Sequence, residues 1–180
     1  MITVTREGDR WVLRTEQRFP RSVNEVWPFF ADAFNLEAIT PPYLKFEVVT
    51  PAPIEMAVGT LIDYRLKLHG IPFRWRTKIT VWEPPHRFVD EQVKGPYTLW
   101  RHEHRFVPED DGRTLATDRV EYRIPGGPLA RLANAVLVRR DVRGVFAYRH
   151  EQLARRFGTV DDAASASDAR QPSPTQGQPA

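Results

Sequence analysis

The segment Thr98-Leu-Trp-Arg-His-Glu-His-Arg-Phe-Val107 alternates strictly between two kinds of side chain. Trp100, His102, His104 and Phe106 fall on one side, and Arg101, Glu103 and Arg105 on the other. Side chains in a strand point to opposite faces with period two, so this is a half-buried strand of an antiparallel sheet. Three adjacent charges cannot all be buried unpaired, which makes the Trp100/Phe106 face the inner one. Two histidines are thereby turned inside, between aromatic rings. A face that is apolar at its ends and polar in its middle predicts a lined cavity rather than a packed core.

The same alternation recurs on both sides of this strand. Upstream, Thr60, Ile62, Tyr64, Leu66 and Leu68 alternate with Asp63, Arg65 and Lys67. After a turn at His69-Gly70, Phe73, Trp75, Thr77, Ile79 and Val81 alternate with Arg74, Arg76 and Lys78. Arg87 to Lys94 follows and is closed by Gly95-Pro96. Downstream, the polar loop Pro108 to Gly112 leads into Arg113–Ile124, with Asp118, Val120, Tyr122 and Ile124 on one face. Trp11–Phe19 and the brief Phe46–Thr50 complete about seven strands.

Helical signals are confined to the two ends of this run. Ser22-Val-Asn-Glu25 is a capping box ahead of Val23, Val26, Trp27 and Phe30, with Pro28 limiting the helix. A second short helix is expected over Phe34–Ile39, stopped by Pro41-Pro42. Leu129–Phe157 contains no proline and is predicted to be helical, but its apolar stripe changes phase. Leu129–Leu137 shows one face, expected to form a lid, and Val142, Val145, Phe146, Leu153 and Phe157 show another. Residues 159–180 are Ala, Ser, Asp, Gln, Pro and Gly with almost no large apolar residue, and are expected to be a disordered tail behind one domain spanning 1–158.

Composition narrows the field further. The 180 residues contain no cysteine, which excludes disulfides and thiolate metal sites. The net charge of +3 is small and the basic residues are interspersed with acidic ones, so a nucleic-acid partner is not expected. With no apolar stretch of spanning length and no leader pattern, a cytoplasmic location is the default expectation. Arg139, Arg140, Arg143, Arg149, Arg155 and Arg156 are expected to form a solvated helix face, open at most to transient contact with a membrane surface.

Short helices near the start, strands in succession and one long C-terminal helix make an α+β layout. Its landmarks are Phe19-Pro20 with Val23, Val26 and Trp27, Asn35-Leu36, Ile39-Thr-Pro-Pro42, Met56, Gly59-Thr60, Ile62, Tyr64, Trp82-Glu-Pro-Pro85, Phe88-Val-Asp90, and Gly95-Pro-Tyr97 ahead of Trp100-Arg-His-Glu-His104. In these the chain resembles the START-like superfamily (SRPBCC), in particular its bacterial ligand-binding and polyketide cyclase/dehydrase-like members, over about residues 8 to 158. The resemblance implies the helix-grip fold, a curved antiparallel sheet wrapped on the C-terminal helix, with a ligand cavity between them. It implies no one activity, because that fold serves both carriers and catalysts.

Within such a cavity, His102 and His104 would anchor a ligand carbonyl, hydroxyl or quinone oxygen, since a neutral imidazole offers one donor and one acceptor. Two core histidines satisfied by tyrosine, carboxylate or backbone are the structural alternative. Asp90, Gln92 and Asp118 fall on the same inward faces unless a bulge flips them. Tyr64, Trp75, Trp100, Phe106 and Tyr122 would supply flat walls for a lipid, isoprenoid or polyketide-like ligand. His-x-His could also aim two imidazoles at an ion with Asp90 or Asp118 as third ligand, but His69, His86 and His150 fall in turns or late in the helix, and neither metal nor cofactor is expected. The leading expectation is binding or carriage of a hydrophobic small molecule. The alternative is a cofactor-independent cyclase or dehydratase using His102, His104 and Asp90 as acid and base.

Overall fold

The computed structural model describes residues 1–126 and 137–160. Eight strands form one antiparallel sheet: β1 (Ile2–Glu7), β2 (Arg10–Phe19), β3 (Glu47–Val48), β4 (Leu61–Leu68), β5 (Ile71–Glu83), β6 (Arg87–Lys94), β7 (Leu99–Pro108) and β8 (Thr114–Arg123). Their order is β1-β2-β8-β7-β6-β5-β4-β3. The first hairpin therefore lies at one edge. The chain then crosses to the far edge and meanders back until β8 closes against β2, Trp11 opposite Tyr122 and Phe19 opposite Thr114. The added strand is β1: Val4 is buried, and Gly8 takes the positive φ (63°) that the β1–β2 turn requires.

Two register shifts bend β5 against β6. One extra residue, Thr80, stands between the pairs Ile79–Asp90 and Val81–Val89, and another, Val93, stands opposite the Arg76–Thr77 step. Such bulges kink a strand and increase its twist, and this curves the sheet around the space on its inner face. The shift at Thr80 also corrects the alternation expected for β5. Past Ile79 it is Trp82 rather than Val81 that turns inward, to lie 5.1 Å from Trp27 and 5.7 Å from Phe88 between ring centroids.

Helix α1 (Val23–Phe30) begins as expected, the Glu25 carboxylate accepting from the amide and hydroxyl of Ser22 at 2.9 and 2.7 Å. It buries Val23, Val26, Trp27 and Phe29. The short helix expected at Phe34–Ile39 is instead a 3-10 turn at Ala33–Leu36, and a second one occupies Pro42–Leu44. The chain there needs compact corners rather than a packed face. Asp32 accepts from the Phe34 amide, and Glu37 accepts from the amide of Val48 in β3.

Helix α2 (Arg139–Phe157) crosses the inner face of the sheet. Its buried side chains are Val142, Phe146, Arg149, Leu153 and Phe157, a helical stripe in which one member is a cation. Val142 and Phe146 join Leu13, Val120 and Tyr122 in one apolar cluster, while Leu153 and Phe157 join Phe19, Trp27 and Phe106 in another. Between them, Thr15 Oγ1 lies 2.7 Å from His150 Nε2, and Gln17 donates to the His150 carbonyl at 3.0 Å, fixing α2 to β2. Arg149 is thus not part of a solvated face. Gly158 ends the helix with a φ of 86°. The expected lid at Leu129–Leu137, except Leu137 itself, and the tail beyond residue 160 lie outside the described residues.

On the outer face the charges pair. Glu103 accepts from Arg105, and from Arg87 and Arg101 at 3.2 and 3.3 Å, while Glu121 accepts from Arg10 and Arg119. Burial alone would raise the Glu103 carboxyl, but the hydrogen bonds from Arg105 and Arg87 hold it down at about 2.

Candidate functional site: an apolar cavity with an imidazole–carboxylate wall

Bending the sheet away from α2 leaves a cavity of about 220 Å³. Its walls are mostly apolar, from Phe29 and Leu36 on the helical side to Tyr64, Leu66, Trp75 and Trp100 on the strands. Trp75 stands edge-on to Trp100 at 5.2 Å, and its indole N–H donates to Thr77. Polar side chains interrupt this lining: Asp90, His102, His104 and Arg149 in its middle, with Asp32, Asn35, Thr40, Thr77 and Asp141 elsewhere on it.

The central strands build the polar wall by register alone. On β7, His102 pairs across to Asp90 on β6, and His104 pairs across to Asp118 on β8. Each carboxylate, however, hydrogen-bonds the diagonal histidine: His102 Nε2 lies 2.9 Å from Asp118 Oδ1, and His104 Nε2 lies 3.2 Å from Asp90 Oδ2. The remaining approaches are His104 Nδ1 to Asp118 at 2.9 Å and His102 Nδ1 to Asp90 at 3.7 Å. His104 Nδ1 is out of line for a hydrogen bond, so the 2.9 Å contact is electrostatic. Two carboxylates thus bracket two imidazoles. The rings stack on each other (centroids 3.7 Å), with Phe88 on the far side of His104 (4.0 Å) and Phe146 edge-on to His102 (5.4 Å). This column of four rings runs from strand to helix.

Both histidines are buried, yet their proton affinities separate. Burial and the neighbouring charge of His104 push His102 down to about 4, overriding its bond to Asp118. Burial acts against a charged His104 as well, but the two carboxylates outweigh it and raise His104 above the ordinary imidazole value. Asp118, which burial alone would raise, is held well below the usual carboxylate range by its hydrogen bond with His102 and by the close approach of both imidazoles. Like charges this close disfavour double ionisation, and the opposite displacements make His104 the better holder of a proton and His102 the better neutral acceptor.

The donor atoms of Asp90, His102 and His104 all lie within 4.8 Å of one another, close enough to consider a cation. A shared ion must lie in the plane of each imidazole that binds it. The rings, tilted by 37° with centroids 3.7 Å apart, instead direct their Nε2 atoms at different carboxylates, His102 at Asp118 and His104 at Asp90. The present arrangement suits sharing of a proton and would need a ring to rotate before it could chelate a metal.

The expected site residues divide into two groups. Tyr64, Trp75, Trp100, His102, His104 and Asp90 line the cavity. Four others stand behind it. Asp118 orients the histidines from the adjoining strand. Gln92 closes the turn after β6 by donating to the Tyr97 carbonyl and accepting from its amide. Phe106 packs in the cluster around Trp27, 5.6 Å from that indole. Tyr122 is fully buried between β2 and α2.

The sequence reading missed Arg149. Only 7 % exposed, it borders the cavity with its guanidinium over the Phe146 ring at 4.9 Å, and its Nε has no hydrogen-bond partner. Desolvation lowers its pKa, opposed by Asp118, Asp90 and Tyr64. The signal was present: Val142, Phe146, Leu153 and Phe157 imply an inward position at 149 by spacing alone.

A curved antiparallel sheet gripping a C-terminal helix over a lined cavity defines a START-like, SRPBCC-type protein. Residues 10–158 match the family described as polyketide cyclase / dehydrase and lipid transport, and the chain belongs to that family. Among solved structures, a Mycobacterium smegmatis protein is similar at 18 % identity and a TM-score of 0.61, covering 85 % of this chain and 97 % of that one. An aromatase/cyclase from a Streptomyces species is similar at 18 % identity and a TM-score of 0.58, covering 81 % and 95 %. A major latex-like protein from Panax ginseng is similar at 14 % identity and a TM-score of 0.51, covering 76 % and 97 %. At these identities the likeness is one of fold. No curated protein is detectably similar in sequence. Among the described residues, no helix is long and apolar enough to cross a membrane.

Proposed function

We propose that this protein binds one hydrophobic small molecule, of lipid, isoprenoid or polyketide-like character, in the cavity between sheet and α2. The observation that carries this is the cavity itself: mostly apolar walls, with Asp90, His102 and His104 grouped on its strand side. Such a site gains affinity from buried apolar surface and orientation from a few hydrogen bonds. A ligand oxygen would face the His102/His104 edge.

The opposite displacement of the two histidines favours a second reading of the same site, acid–base catalysis. A protonated His104 can donate to a carbonyl or leaving hydroxyl while neutral His102 accepts a proton, as a cyclisation or dehydration requires. The family description covers both readings.

One variant separates them. His102→Phe/His104→Phe keeps two aromatic rings in the column, so the fold is expected to survive. If the histidines anchor the ligand, affinity for the small molecule co-purifying with the protein, identified by native mass spectrometry, falls by about 0.5–1.5 kcal/mol for each lost hydrogen bond. If they are catalytic, binding survives and conversion of that molecule drops by about 100-fold or more. Unchanged affinity and unchanged conversion in a folded variant remove both roles.

A further inference from the structure

We propose that the ligand is an amphipathic carboxylic acid, bound as its carboxylate with the head group on Arg149 and the apolar body along the aromatic walls; this rests on the cavity being the binding site. Arg149 lies on the buried stripe of α2, between the apolar pair Val142/Phe146 and the apolar pair Leu153/Phe157. A leucine there would complete the stripe, so the cation has no packing reason to be inside. Among the described residues it makes no hydrogen bond or ion pair, and its Nε is buried without a partner. The two carboxylates that influence it, Asp118 and Asp90, accept their hydrogen bonds from the histidines instead. Phe146 lies against the guanidinium, its ring centroid 4.9 Å from Cζ.

A buried charge is costly unless paired and hydrogen-bonded. An arginine cannot escape by losing its proton, because its pKa is far above neutrality. No described residue supplies that pairing, and under this proposal it comes from something that enters the cavity. The planar guanidinium fork matches a planar, two-oxygen anion. Asp90 and Asp118 already act on Arg149, so the positive charge left on offer suits a carboxylate, with its single negative charge, better than a phosphate dianion. The apolar walls supply the rest of the recognition and select acids with an aliphatic or aromatic body over small hydrophilic ones.

The test compares matched probes on the full chain at neutral pH: decanoate against 1-decanol, and 2-naphthylacetate against 2-naphthaleneethanol. Binding is read by quenching of tryptophan fluorescence. Each acid is expected to bind the wild-type protein at least about tenfold more tightly than its alcohol. In Arg149→Met the acids are expected to lose at least about thirtyfold, since a carboxylate would be left facing Asp90 and Asp118 without its cation, while the alcohols change by less than about threefold. Arg149→Lys, which keeps the charge but not the fork, should fall between. Equal binding of acid and alcohol to the wild type overturns the head-group assignment and leaves the cavity reading intact. So does equal loss of both probes in an Arg149→Met variant that melts like the wild type. Failure of all four probes to bind overturns the cavity reading and this proposal with it. The wild-type comparison needs no variant, so it decides the matter even if Arg149→Met does not fold.

Discussion

His102 and His104 should give the protein a stability profile with two opposed slopes. The folded-state pKa of His102 lies near 4, below the ordinary imidazole value. As pH falls below about 6.5 the unfolded chain takes up a proton that the folded chain refuses, and stability is lost towards pH 4. Asp118, whose carboxyl is held low, adds to the loss at the acid end. The pKa of His104 is raised, so its contribution is fully present below about 6.5 and is lost as pH rises through its folded value. Melting temperature followed from about pH 4 to about pH 9 should therefore peak near pH 6.5, and His102→Phe/His104→Phe should flatten both flanks. A variant with the same profile as the wild type would mean the rings titrate alike folded and unfolded. The inward direction of both histidines was legible from Thr98–Val107 because alternation allows one solution there. Their division of labour was not, because it depends on Asp90 and Asp118 arriving from two other strands.

At the scale of the element, sequence patterning worked wherever a strand was regular and failed at the bulges. Alternation across β5 puts Val81 inside, but the extra residue Thr80 hands that place to Trp82. Trp82→Ala should destabilise by about 3 kcal/mol, whereas Val81→Ala should cost less than about 1 kcal/mol, as read by urea unfolding. The reverse ranking would restore the uninterrupted alternation. On α2 the failure was of another kind. The stripe Val142, Phe146, Leu153 and Phe157 was read correctly, but its middle position holds an arginine, and arginines are sorted to solvent by type. Spacing was the better guide than residue type. The six residues of β1 carry too little periodicity to mark a strand in the sequence, and only Val4 and the Gly8 turn point to it.

For the whole molecule, the composition of residues 159–180 predicts that they add nothing to the packed domain. A chain truncated after Gly158 should melt within about 1 °C of the full chain, and a loss of several degrees would show that the tail packs. The order of the sheet was not readable from strand patterns, since each strand is one-sided wherever it sits. The order β1-β2-β8-β7-β6-β5-β4-β3 has a consequence in time as well as in space. Trp11 meets Tyr122, so the second strand formed finds its permanent neighbour only when the eighth is available. Until then its hydrogen-bonding edge is open, and the helix tied to it through Thr15 and His150 has no finished floor on which to settle. Pairings this distant along a chain must overcome loop-closure entropy before any contact rewards them, which makes folding slow and exposes unpaired edges to other chains. During synthesis, the first hairpin therefore has to wait until β8 has emerged, with an open strand edge offered to other chains in the meantime.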